Sequence, residues 1–109
     1  MQRVAQVVGL APEAVTRYKE LHASVWPDVL RTIHACGIRN YSIFLREPEL
    51  LLFAYFEYIG EDYEADQAAM AADPVTQEWW ALTMPMQRPL EGRADGAWWA
   101  VVPEVFHVD

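Results

Sequence analysis

Seven prolines partition this chain more firmly than any other feature. Proline locks φ and cannot donate to a helix or sheet ladder, so it tolerates first helical turns, tight turns and sheet edges. Arg3 to Leu10 reads as a strand on its β-branched Val4, Val7 and Val8, closed by Pro12. Ala11-Pro12-Glu13 opens a helix, with proline early and an acid in the first turn, and Pro27 breaks or kinks it. A second helical stretch runs from Asp28 to Cys36 and is closed by Gly37. Ile38 to Arg46 alternates as a strand, with Tyr41, Ile43 and Leu45 on one face and Ser42 and Phe44 on the other. Glu47-Pro48-Glu49 turns the chain, and Leu50 to Tyr58 returns as the second strand of a hairpin. Glu61 to Ala72 is an alanine-rich helix. Asp73-Pro74 starts another, to about Met84, by placing a cap before a proline at the first helical position. Pro85, Pro89, Gly92 and Gly96 mark Met86 to Ala97 as a loop, and Trp98 to Val108 is expected to form a last strand, with Pro103 at an edge or bulge.

The order is β-α-β-β-α-β, a ferredoxin-like α+β arrangement in which an antiparallel sheet carries helices on one face. With 109 residues, 53% of them hydrophobic, the chain has the size and apolar content of one domain. Its strands are apolar on both sides, however, which leaves one sheet face uncovered. An isologous homodimer is the simplest way to bury that face.

The formal net charge is −8, and the eight Lys and Arg form no cluster. Nucleic acid and anionic membranes are therefore poor partners, since phosphate binding needs a basic footprint; a neutral ligand fits better. Cys36, the one cysteine, has no partner for an internal disulfide and suits a reducing cytosol. No signal-peptide pattern and no membrane-length apolar run occurs, so a cytoplasmic location is expected. Phosphate loops, HExxH, CxxC and GxSxG motifs are absent, which leaves nucleotide and triad readings without support. A metal site is poorly supported, because His22, His34 and His107 fall on separate elements and His34-Ala-Cys36 lacks further ligands at suitable spacing.

The residues that can carry chemistry gather around Tyr18, His22 and Trp26, spaced four apart in a helical pattern. Such a face offers ring stacking, edge hydrogen bonds and a group that exchanges protons near neutral pH. The same spacing also fits a half-buried aromatic face with one satisfied histidine. Tyr41 can point toward this helix from its strand. Trp79 and Trp80 are about 100° apart on a helix, so one can reach a pocket while the other packs. Trp98 and Trp99 read as packing or interface residues, and His34 and His107 as solvated or structural positions.

These same segments resemble the L-rhamnose mutarotase family. The resemblance is carried by Tyr18-x3-His22-x3-Trp26-Pro27, Gly37-x2-Asn40-Tyr41-Ser42-Ile43, Leu51-Leu52-Phe53-Ala54, Trp79-Trp80 and Glu104-Val105-Phe106, in order along nearly the whole chain. It implies a dimeric, cytosolic α+β enzyme that interconverts the α and β anomers of L-rhamnose, a 6-deoxy-L-sugar, by general acid-base catalysis through the open-chain aldehyde, with no cofactor and no metal. It also implies His22 as proton donor and Tyr18, Tyr41, Trp79 and Trp80 as sugar contacts. Dimeric α+β barrels of this size also serve as cofactor-free oxygenases and haem-handling proteins, which is the alternative reading.

Overall fold

The computed structural model describes residues 1–109. Its elements in order are β1 (Gln2–Leu10), a 3₁₀ turn at Pro12–Ala14, α1 (Val15–Ala23), α2 (Pro27–Ala35), β2 (Ile38–Arg46), β3 (Leu51–Tyr58), α3 (Tyr63–Ala72), α4 (Pro74–Thr83), a 3₁₀ turn at Met84–Met86, β4 (Gln87–Arg88) and β5 (Ala100–Val102). The sheet is antiparallel in the order β2-β3-β1-β4, and β5 also pairs with β1. This is the ferredoxin-like α+β architecture. No helix is long and apolar enough to cross a membrane.

Period-2 alternation decides which side of the sheet faces the helices. Val4, Val8 and Leu10 of β1 and Leu52, Ala54, Phe56 and Tyr58 of β3 are buried on that side. Cross-strand pairing of Val4 with Phe56, Gln6 with Ala54 and Val8 with Leu52 aligns the two rows. Tyr18 joins one end of this core, while Leu21 and Val29 meet Trp79 between the helices. The opposite side carries Phe44 and Phe53 as direct partners, 63% and 42% exposed.

Proline and aspartate set the helix boundaries as their chemistry requires. Pro27 and Pro74 stand at first helical positions, and the Asp73 carboxylate accepts from Thr76 N and Thr76 Oγ1, both at 2.8 Å. Gly37 ends α2 at φ +84°, a conformation that costs a residue with a Cβ.

The hairpin has one feature that simple alternation does not supply. Between Arg39 and Ser42 the register slips by one residue, and Asn40 takes φ +50°. This bulge places Ile38 and Tyr41 on the same face although they are three apart, so Tyr41 packs its ring on Phe56 at 5.4 Å.

Three expectations are corrected. The helix opened by Pro12 stops at Ala23, and Trp26 is the residue preceding α2, not part of the Tyr18 helix. The segment expected to be loop from Met86 begins with β4, paired to Gly9 and Leu10. The last strand is only Ala100–Val102, because Pro103 removes a ladder donor; beyond it the chain is irregular and exposed, with Phe106 78% exposed.

Candidate active site

Between the helices and the curved sheet lies a cavity of about 800 Å³ with mostly apolar walls. Among its lining residues are Tyr18 and His22 from α1, Tyr41 from β2, and Trp79 and Trp80 from α4. The structure therefore brings together all five candidate site residues. Trp26 is not in the lining; it packs edge-on against Trp79 at 5.2 Å, behind the cavity wall.

One turn of helix couples Tyr18 to His22. Their rings stack with centroids 4.1 Å apart, and the edge of Trp79 meets the imidazole at 5.3 Å. His22 Nδ1 donates to the Tyr18 backbone oxygen at 2.8 Å. A carbonyl can only accept, so that bond places the proton on Nδ1 and leaves Nε2 of the neutral ring as an acceptor. Nε2 has no partner in the chain, and no buried side-chain nitrogen or oxygen lacks one, so Nε2 is open to the cavity. Burial lowers the His22 pKa, more than the carbonyl bond raises it. The ring is therefore neutral at pH 7.

The phenols carry the opposite bias. Burial pushes the Tyr18 pKa up, offset in part by its bond from Gln87, so Tyr18 keeps its proton at neutral pH. Tyr41 is 39% exposed, but that exposure opens onto the cavity, whose walls push its pKa up as well. A neutral base and two protonated phenols thus share one aromatic enclosure.

Among the other residues that line the cavity, four bear on its chemistry or its walls. Gln6 is the polar member of the inward row Val4, Gln6, Val8, and the period of β1 was sufficient to find it. Gln87 bridges Tyr18 and Trp98: its Nε2 donates to Tyr18 Oη at 3.1 Å and its Oε1 accepts from Trp98 Nε1 at 2.8 Å. Trp98 and Trp99 pack against the core as expected, yet both also line the cavity, a role no local pattern announced. His34 and His107 lie elsewhere, both on exposed positions.

Fold and cavity together define a small α+β protein that gathers proton-exchanging side chains among aromatic rings. The sequence profile of the L-rhamnose mutarotase family matches residues 3–108, and the chain belongs to that family, which makes it an isomerase. An L-rhamnose mutarotase of Listeria monocytogenes is 38% identical over 88 residues, covering 81% of this chain and 82% of its own. An L-fucose mutarotase of Xanthomonas campestris is 33% identical over 112 residues, covering 97% of this chain and 87% of its own. The crystal structure of an L-rhamnose mutarotase from Formosa agariphila shares the fold with a TM-score of 0.79, covering 100% of both chains at 24% identity.

Proposed function

We propose that this protein interconverts the α and β pyranose forms of L-rhamnose, with His22 and Tyr18 as the proton-handling pair. The observation that carries the reading is one cavity holding a neutral imidazole with Nε2 open and, stacked on it at 4.1 Å, a phenol that keeps its proton. Family membership supports this reading over oxygen or haem chemistry.

Ring opening needs a proton removed from the anomeric hydroxyl as one is given to the ring oxygen. His22 Nε2 takes the anomeric proton while the C1–O1 bond becomes a carbonyl and the C1–O5 bond breaks. Tyr18 gives its proton to O5. The departing O5 is alkoxide-like and more basic than a phenolate, so a phenol with a raised pKa is still acid enough. Rotation about C1–C2 turns the other carbonyl face to O5. Closure returns the O5 proton to Tyr18 and the His22 proton to O1, and no atom or electron is left over. The resemblance casts His22 as the donor; a neutral ring with Nδ1 occupied supports giving it the base's part in opening and the donor's part in closing. Positioned proton transfer of this kind contributes roughly 10²–10⁴-fold. Tyr41, Trp79 and Trp80 are the sugar contacts of this reading: a hydroxyl for the sugar's oxygens, and flat apolar surface for its C–H face and methyl group.

The whole chain works as one domain, in the cytoplasm, and as a homodimer. The exposed Phe44–Phe53 pair on the bare sheet face and the apolar Val105 and Phe106 of the tail support the dimer. Sedimentation equilibrium checks it; Phe44→Glu is expected to give monomers, and a wild-type monomer refutes it.

The test of activity is saturation-transfer proton NMR on L-rhamnose at anomeric equilibrium. Enzyme-dependent magnetisation exchange between the α and β anomeric protons is expected. Exchange on L-fucose but not L-rhamnose reassigns the sugar, and silence on both removes the proposed reaction.

A further inference from the structure

A phenol has two hydrogen-bonding capacities to distribute: its oxygen accepts and its proton is given. Around Tyr18 the choice is made by two residues from the far edge of the sheet. Gln87 opens β4, its backbone paired with Leu10, and Trp98 stands two residues before β5. Trp98 Nε1 is 2.8 Å from Gln87 Oε1, and Gln87 Nε2 is 3.1 Å from Tyr18 Oη. An indole N–H can only donate. It therefore turns the carboxamide oxygen toward Trp98 and leaves the NH₂ facing the phenol. A carboxamide NH₂ can only donate in its turn, so it occupies an oxygen lone pair of Tyr18 and leaves the phenolic proton unspent. Tyr18 Oη has no other hydrogen-bond partner in the chain, and both Tyr18 and Gln87 line the cavity, so that proton is available to a ligand held there.

We infer that Gln87, its amide orientation locked by Trp98, is a positioning residue that presents Tyr18 to the substrate as a hydrogen-bond donor. The inference builds on the reading above in which Tyr18 is the acid of ring opening. Its catalytic consequence is specific. As the proton leaves, charge gathers on Tyr18 Oη, and the Gln87 N–H already points at that oxygen. The bond strengthens in the transition state, so its loss falls on kcat more than on KM. The same bond opposes the rise that burial imposes on the Tyr18 pKa.

Two substitutions test this from opposite ends. Gln87→Glu keeps an acceptor for Trp98 but sets a second acceptor against the phenol, which then turns its proton onto the carboxylate and away from the sugar. Trp98→Phe keeps the ring wall but removes the indole donor, so the Gln87 amide is free to flip. Measured by anomer exchange, Gln87→Glu is expected to lower kcat about tenfold or more with KM changed less than about twofold, the worth of one hydrogen bond lost in the transition state. Trp98→Phe is expected to lower kcat about threefold, as a freed amide spends part of its time flipped. In a Tyr18→Phe background, itself about 10²-fold slower, neither substitution lowers kcat further. Wild-type kcat in either folded variant, an effect confined to KM, or an undiminished loss in the Tyr18→Phe background each overturns the inference.

A readout independent of turnover separates it from the reading beneath. In ¹⁵N-edited NMR, Tyr18→Phe is expected to shift the Gln87 side-chain amide protons and leave the Trp98 indole proton hydrogen-bonded. A Gln87 amide indifferent to Tyr18→Phe refutes the positioning role whether or not the wild type turns over a sugar. If the amide shifts but the wild type exchanges no anomers, the reaction is at fault and the positioning is not.

Discussion

His22→Ala separates catalysis from stability. In the folded protein the imidazole stacks on Tyr18 at 4.1 Å and meets the edge of Trp79 at 5.3 Å. Each such aromatic pair is worth about 0.5–1.5 kcal/mol, so truncation is expected to cost about 1–3 kcal/mol of stability. A domain typically holds about 5–15 kcal/mol, so the variant stays folded. On the proposed mechanism the loss of a general base is worth about 10²–10⁴ in rate, or roughly 3–5 kcal/mol of barrier. The activity loss should therefore greatly exceed any unfolded fraction. Saturation-transfer NMR gives the rate, and thermal unfolding followed by circular dichroism gives the stability.

A pH series on the wild type strengthens this test. Burial lowers the His22 pKa from the usual 6.5, and only the neutral ring is a base. kcat/KM is thus expected to rise with pH through a midpoint below 6.5 and to be level at neutral pH. The same shift has a stability consequence of fixed sign. Below the unfolded value of 6.5 the unfolded chain binds a proton that the folded chain does not. The contribution of His22 is fully present above that pH and is lost as the pH falls through the folded value. His22→Ala removes that slope. A folded His22→Ala protein exchanging anomers within about tenfold of wild type, or a midpoint above 6.5, refutes the assignment of His22 as the base.

The two adjacent tryptophans are expected to part company. Trp79 is 6% exposed and packs with Leu21 and Val29, so Trp79→Ala should cost about 3–5 kcal/mol in denaturant unfolding. Trp80 is half-buried, and Trp80→Ala should instead raise KM about tenfold with stability changed by less than about 1.5 kcal/mol. Gln6 has no partner in the chain and faces the cavity, so Gln6→Leu is expected to raise KM several-fold, roughly the worth of one hydrogen bond, with kcat nearly unchanged in the NMR assay. Gly37→Ala forces a Cβ to 3.1 Å from Tyr58 Cε1 and 3.2 Å from Gly60 N at φ +84°, and should lower stability by about 1–3 kcal/mol in the same denaturant measurement.

How legible each of these residues was depended on the range of the interaction that places it. Tyr18 and His22 are four apart on one helix, so spacing alone puts them side by side. Asp73-Pro74 caps α4 through a carboxylate that reaches only three residues on. The inward row of β3 follows from alternation, and so does Gln6, which went unremarked because a lone amide in a valine-rich strand carries no motif. Trp26 was misplaced for a local reason with a nonlocal result: Pro27 ends the periodicity, and only the packing of α2 against α4 decides that its ring lies behind Trp79.

By itself, the sequence determined the alternation of strands and helices, their breaks, the ferredoxin-like order, the family and the five residues that meet in one cavity. The alternation, the breaks and their order come from backbone stereochemistry and periodicity, which act within a few residues, whereas the family and its five residues come from motifs that resemble those of a known family. Only the tertiary structure decided that Gln87 reaches Tyr18 and that Trp98 and Trp99 wall the site. It also decided how β5 pairs along β1 and that His22 Nε2 opens onto the cavity. Each of these depends on β4 and β5, two and three residues long, finding the edge of β1 some eighty or more positions earlier, or on burial that only the closed fold creates. Segments that short have no propensity of their own to speak of, and their place is set by the edge they pair with.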